Sequence, residues 1–99
     1  MAFQAYLLRC SDGSFYAGHT EDLETRIAQH QQGLIGGYTA VRRPVLLVWT
    51  ENFGTRAEAL AAERRIKGWS RAKKQALIDG DWERLKLLAR NRQEPRGEL

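Results

Sequence analysis

Tyr16-Ala17-Gly18-His19-Thr20-Glu21-Asp22, a strand end running into a helix that carries Arg26 and His30, is the stretch on which fold and function turn. Thr20 suits an N-cap, Glu21 and Asp22 put negative charge where the helix dipole favours it, and Gly33 stands where a helix stops. These signals predict a helix over residues 21–32. On a wheel of about 100° per residue with Leu23 at zero, Ile27 falls at about +40°, His30 at about −20° and Arg26 at about −60°. Arg26 and His30 therefore share the face that must bury. A helix that needed only solubility would turn both outward, so their placement points to a site between helix and sheet.

Working back from Tyr16, Phe3–Arg9 reads as a strand and residues 15–18 as its partner, with Ser11-Asp12-Gly13 turning the chain between them. Loop length decides which side chains share a face. A two-residue Asp-Gly turn pairs Arg9 with Tyr16 and sends Tyr6 to the opposite face. A three-residue turn, with Gly13 in the left-handed position of a bulge, pairs Cys10 with Ser14, Leu8 with Tyr16 and Tyr6 with Gly18. Ser and Asp suit the type I turn that precedes such a glycine, so both tyrosines are predicted on one face.

Working forward, residues 34–43 form a connecting loop containing Gly36-Gly37, Tyr38, Thr39, Arg42 and Arg43. Pro44 then opens a third strand over residues 45–50, apolar enough to be covered on both faces. Thr55-Arg56-Ala57-Glu58 is a capping box, the clearest helix start in the chain. Along that helix Ala59, Ala62, Ile66 and Trp69 form an apolar arc, Leu60 lies on its other side, and Glu63 falls between them. Ser70 caps a further helix that ends at Asp79 before Gly80. Asp81 caps another, whose Trp82, Leu85, Leu88 and Ala89 make an apolar side that packs back on the domain. From Asn91 onward, Pro95 and Gly97 stand among charged residues and predict a frayed tail. The order predicts an α/β fold, a small three-stranded, mostly antiparallel sheet flanked by helices, as one domain over residues 1–90 with a flexible tail over 91–99.

Composition narrows the function classes. A chain of 99 residues that is 42% hydrophobic and 28% charged suits one soluble domain. The apolar run at residues 45–49 is far short of a membrane span, and the N-terminus has no basic region before an apolar stretch, so a cytoplasmic protein without membrane contact is expected. A single cysteine, Cys10, fits a reducing compartment and reads as a small strand residue. The net charge is +4 and uneven: between residues 64 and 74 stand Arg64, Arg65, Lys67, Arg71, Lys73 and Lys74 with no acidic residue. Such a stripe, with Arg42 and Arg43, is a candidate contact for a nucleic-acid backbone, although a solvated helix face has the same composition.

Five residues form the candidate catalytic set: Tyr6, Tyr16, Arg26, His30 and Glu63. Singly each has a plainer explanation, as a strand aromatic, a core-edge histidine, or, for Glu63, a helix-surface pair with Lys67 four residues on. Together they are what phosphodiester hydrolysis uses. A carboxylate holds a divalent cation, a guanidinium forks onto phosphate oxygens, and a phenol or imidazole takes a proton from water. Two histidines and one cysteine cannot build a structural zinc site, and the glycines fit no phosphate-binding loop.

On these residues the chain resembles the GIY-YIG nuclease superfamily, in particular its small stand-alone bacterial members. Gln4-Ala5-Tyr6 stands where that family has Gly-Ile-Tyr, Tyr16-Ala17-Gly18 where it has Tyr-Ile-Gly, Arg26 and His30 on its helix, and Glu63 at its metal-binding glutamate. Leu8-Arg9-Cys10-Ser11-Asp12-Gly13, Gly37-Tyr38-Thr39, Arg42-Arg43-Pro44 and Trp69-Ser70-Arg71-Ala72-Lys73-Lys74 also look like the small bacterial type. The resemblance implies a single Mg²⁺ or Mn²⁺ on Glu63, Arg26 on the scissile phosphate, Tyr6 or Tyr16 as proton acceptor or water-positioning group, and His30 assisting. It implies an endonuclease acting on DNA, with RNA left open, selecting structure and serving repair or recombination. A non-catalytic nucleic-acid-binding or protein-interaction module is the alternative. Two positions depart from the pattern: Gln4-Ala5 replaces Gly-Ile, and the asparagine found beyond the glutamate in other branches has only Gln75 in its region.

Overall fold

The computed structural model describes residues 2–97, with side chains placed over residues 2–89. They form two compact units divided after Gly68. The first holds the sheet and begins with the hairpin of β1 (Phe3–Arg9) and β2 (Phe15–Thr20). Its turn is the three-residue kind. Gly13 has φ +84°, its N–H donates to the Cys10 carbonyl at 2.9 Å, and the Cys10 N–H donates to the Ser14 carbonyl at 2.8 Å. Asp12 Oδ1 steadies the bend by accepting from the Ser14 N–H at 3.0 Å and its hydroxyl at 2.6 Å. Leu8 consequently faces Tyr16 and Tyr6 faces Gly18, the register predicted from Ser-Asp-Gly.

β3 (Leu46–Phe53) completes a three-stranded antiparallel sheet of order β2-β1-β3. Being central, β1 carries the run Ala5, Tyr6, Leu7 and Leu8 fully buried. The apolar run of β3 predicts burial on both faces, and the structure corrects this. β3 is an edge strand, Leu46 is 55% exposed, and the strand starts one residue later and ends three later than residues 45–50. Val45 is buried, but just outside the strand.

The two sheet faces carry different helices. Tyr6, Leu8, Cys10 and Val45 form a cluster on which Leu23 and Ile27 of α1 (Leu23–Gln31) pack, with Tyr16 and Leu47. Alternation turns Ala5 and Leu7 the other way, toward α2 (Arg56–Lys67), whose buried stripe is Ala59, Ala62 and Ile66. Trp69 lies beyond the C-cap Gly68, so the apolar arc of α2 ends at Ile66.

Helix α1 starts later than residue 21. Its N-cap is Asp22, whose carboxylate accepts from the Thr25 N–H at 3.2 Å, while Thr20 still belongs to β2 opposite Gln4. The Thr20 hydroxyl accepts from the Asp22 N–H at 3.0 Å. Committed to the sheet, Thr20 stabilises the bend into the helix instead of the helix itself. The capping box of α2 forms as predicted: Thr55 Oγ1 accepts from the Glu58 N–H at 3.2 Å and Glu58 Oε1 from the Thr55 N–H at 3.1 Å. Thr55→Ala should lower unfolding free energy by about 1 kcal/mol in urea titration.

In the second unit Ser70 caps α3 (Arg71–Asp79), and Gly80 at φ +68° ends it in the left-handed conformation. Asp81 Oδ1 accepts from the Arg84 N–H at 3.1 Å at the start of α4 (Trp82–Gly97). Trp82 is 57% exposed and does not join the partly buried Leu85, Leu88 and Ala89. The helix continues through residues 91–97, where the sequence predicts a frayed tail. Ala89, Arg90, Arg92, Gln93 and Glu94 are all good helix formers that sustain the preceding turns. Glu98 and Leu99 lie outside the described residues. Among the described residues no helix is long and apolar enough to cross a membrane.

Candidate active site

A cleft of about 310 Å³ in the first unit is walled by Tyr6, Tyr16, His19, Arg26, Arg56 and Glu63. It needs an edge strand: β2 has no neighbour on its outer side, so groups from both sheet faces meet around it. Tyr6 reaches it because its register partner is Gly18. A Cβ on Gly18 would stand 2.5 Å from both Cζ and the hydroxyl oxygen of Tyr6. The missing side chain is the space in which the phenol lies.

Behind Tyr6 is His30, 0% exposed. Its Nε2 is 2.9 Å from the Tyr6 hydroxyl and its Nδ1 is 2.7 Å from the hydroxyl of the buried Thr39. Burial, aided by the Arg26 charge, lowers the His30 pKa, so at neutral pH the ring carries one N–H. That N–H donates to one hydroxyl, and the other hydroxyl donates to the free nitrogen. Burial pushes the Tyr6 pKa far up, the charges of Tyr16 and Glu63 add to the rise, and Arg26 opposes it. Tyr6 thus keeps its proton at neutral pH. Tyr16 packs edge-on to His30 with centroids 5.2 Å apart and stacks on Tyr38 at 6.1 Å.

Glu63 enters from α2 with both carboxylate oxygens engaged. His19 Nδ1 is 2.6 Å from Oε1, and since a carboxylate only accepts, that nitrogen carries the proton. Lys67 Nζ donates to Oε2 at 2.9 Å, the helical pair expected from the i,i+4 spacing. Burial raises the Glu63 pKa, but the hydrogen bonds from His19 and Lys67 outweigh it and hold the carboxyl below its ordinary value. The same contact raises the pKa of Lys67. Among the described residues no three His, Cys, Asp or Glu side chains gather into a metal cage. One hard, ionised carboxylate beside an open cleft fits Mg²⁺ or Mn²⁺, which keep much of their water, and does not fit zinc.

Of the residues singled out by sequence, Tyr6, Tyr16, Arg26 and Glu63 line the cleft, and His30 stands behind it against Tyr6 and Tyr16. Arg42 and Arg43 are bonded within the chain. Arg42 Nε donates to Asp12 at 3.1 Å, its guanidinium lies 3.9 Å over the Tyr38 ring, and Arg43 Nε donates to the Ala40 carbonyl at 2.9 Å. Arg64 and Arg65 are exposed at the end of α2. Arg71, Lys73 and Lys74 lie on α3 in the second unit, where Lys73 Nζ sits 4.5 Å over the Trp69 ring. His19, Arg56 and Thr39 were not singled out as functional. His19 points away from Tyr16 by strand alternation, and Thr39 sits in an aperiodic loop. Thr39 stands in the run Gly37-Tyr38-Thr39 that resembles the family, and His19 directly follows Tyr16-Ala17-Gly18.

A family model described as the GIY-YIG catalytic domain matches residues 3–76. The chain belongs to the GIY-YIG family. A UPF0213 protein of Staphylococcus saprophyticus is 49% identical over 73 residues, covering 74% of this chain and 89% of that one. A UPF0213 protein of Bacillus pumilus is 47% identical over 74 residues, 75% of this chain and 76% of its own length. Two solution NMR structures are also similar. The UPF0213 protein of Bacillus halodurans has 40% identity and TM-score 0.52, covering 80% of this chain and 84% of that chain. A protein of E. faecalis has 36% identity and TM-score 0.56, covering 81% and 85%. The GIY-YIG match spans β1, β2, α1, β3, α2 and part of α3, hence every residue of the cleft, and places the chain in a nuclease family whose substrates are nucleic acids.

Proposed function

We propose that this GIY-YIG domain is a metal-dependent endonuclease that hydrolyses phosphodiester bonds in DNA, selects for DNA structure, and acts in repair or recombination. The observation that carries this reading is the meeting in one cleft of the Glu63 carboxylate, the Arg26 guanidinium and two phenols. Held by Glu63, a divalent cation would polarise the phosphate. Arg26 presents a planar fork to the phosphate oxygens and offsets the charge that grows on them. Tyr6, still protonated, acts as a relay: its oxygen takes a proton from the attacking water as its own proton passes to Nε2 of neutral His30. The exposed Arg64 and Arg65, and the basic residues of α3, suit contact with the DNA backbone.

One observation favours a binding module on the same scaffold. His19 and Lys67 already engage both Glu63 oxygens, leaving the carboxylate internally paired. The two readings part when labelled duplex, single-stranded and branched DNA, and matching RNA, are incubated with the protein and Mg²⁺, Mn²⁺ or chelator. Metal-dependent cutting that Glu63→Ala abolishes supports the nuclease; binding with no cutting on any substrate supports the module. In either case duplex affinity should fall with salt at a log–log slope of about −0.9 per phosphate contacted. A flat response would remove the basic residues from the interface.

A further inference from the structure

We propose that Arg56 is a second phosphate-binding residue of the cleft, holding a backbone phosphate that flanks the one at Arg26 and Glu63. Its part in turnover rests on the nuclease reading above, whereas its contact with a nucleic-acid backbone does not. Arg56 lines the cleft together with Arg26. The two arrive from opposite sides: Arg26 is on α1, which packs on the Tyr6 face of the sheet, and Arg56 is on α2, which packs on the other. A strand in the cleft is therefore met from both sides by guanidinium groups, each a planar fork that matches phosphate oxygens. Arg56 precedes Glu63 by two helical turns on the same face of α2, about 10 Å along the helix axis. Phosphates recur about every 3.4 Å of axis along each strand of a duplex, so that separation assigns Arg56 to a different phosphate from the one at Glu63.

On structural grounds the position is a poor one for a cation. Arg56 is the first residue of α2, where the helix dipole favours negative charge, and Glu58 of the capping box already supplies that charge. Guanidinium and positive helix end instead add their fields, an arrangement that suits an anion. The ion pair of Arg56 with Glu21 is loose: Nη2 lies 3.6 Å from Oε2, and the side chains are 55% and 48% exposed. So open a pair contributes little to stability. It does place an anion against Arg56 at the cleft wall, where a phosphate oxygen can take over from the Glu21 carboxylate. The Phe3 ring, its centroid 5.0 Å from Arg56 Cζ, steadies the guanidinium without neutralising it. A clasp that only tied α2 to the bend between β2 and α1 would act through Glu21 and would be indifferent to nucleic acid.

The test measures binding of the full chain to labelled branched DNA over a range of salt concentrations, with chelator present so that no strand is cut. Arg56→Gln should weaken binding about tenfold at low salt and flatten the log–log slope by about 0.9, the share of one phosphate on B-form DNA. Arg56→Lys should keep the wild-type slope. Arg9→Gln, an equal loss of charge at the far end of β1, should leave affinity and slope unchanged. With Mn²⁺ in place of chelator, Arg56→Gln should raise KM about tenfold and leave kcat within about twofold, the pattern of a contact made equally in ground and transition states. An unchanged slope in Arg56→Gln overturns the proposal, as does equal flattening by Arg9→Gln. Should wild type bind but cut nothing, the nuclease reading fails and the slope still decides the role of Arg56. Should wild type cut while Arg56→Gln keeps its slope, the nuclease reading stands and the proposal alone falls.

Discussion

Glu63→Gln should reduce cleavage by on the order of 10³-fold, the loss typical when a group that stabilises transition-state charge is removed, while the protein stays folded. The carboxamide has the carboxylate's shape, and its oxygen can still accept from His19 Nδ1. Its NH₂ then faces the Lys67 ammonium, donor against donor. Lys67 is half-exposed and can turn to water, so the stability cost stays at about 1 kcal/mol. What the variant loses is the negative charge that a divalent cation needs; Glu21, another carboxylate lining the cleft, is paired with Arg56 at 3.6 Å. Multiple-turnover kinetics on branched DNA with Mn²⁺, beside a thermal melt, separate the two effects. Activity within tenfold of wild type in a folded Glu63→Gln protein would remove Glu63 from the chemistry.

Gly18→Ala should damage fold and activity together. A Cβ there falls 2.5 Å from both Cζ and the hydroxyl oxygen of Tyr6, and that phenol is buried, hydrogen-bonded to His30 and packed in the sheet core. It cannot swing aside as an exposed side chain would. Exchange of glycine for alanine at an ordinary φ gains about 0.4–1 kcal/mol through the unfolded chain, but overpacking of this kind costs about 1–3 kcal/mol. The clash therefore wins, and the melting temperature should drop by about 4–8 °C per kcal/mol lost. Tyr6→Ala supplies the control. In a double-mutant cycle the penalty of Gly18→Ala should largely vanish once the phenol is gone, whereas additive losses would show that the glycine serves something other than Tyr6.

Local chemistry in the chain was legible wherever it was the final word. Ser11-Asp12-Gly13 specifies the bulged turn without help from distant residues, so it set the register and put Tyr6 opposite Gly18. Thr55 and Glu58 cap each other across three residues and needed no context. Thr20 misled because two demands meet on it: it is a good cap by type, yet its backbone is claimed by Gln4 across the sheet. β3 misled because composition reports apolarity and not position, and the sheet order that makes it an edge depends on pairing with β1, the first strand of the chain. At the site, Arg26, His30 and Glu63 declared themselves by helical phase. His19 did not, because on strand periodicity it belongs to the face away from Tyr16, and only the packing of α2 on that face brings Glu63 to it.

The central place of β1, the first element of the chain, also sets an order of assembly. β1 meets β2 through a turn of a few residues, a closure that hairpins complete in about 1–10 μs. Its other side waits for β3, where Phe3 pairs with Phe53, and closing that longer loop carries a larger entropic cost. Tyr6 and Gly18 can therefore come into register while half of the chain is still unsynthesised, and Glu63 can join only once the chain through α2 has been made. A nascent chain would hold its phenols in place before it holds the carboxylate, so of the groups in the cleft Glu63 arrives last.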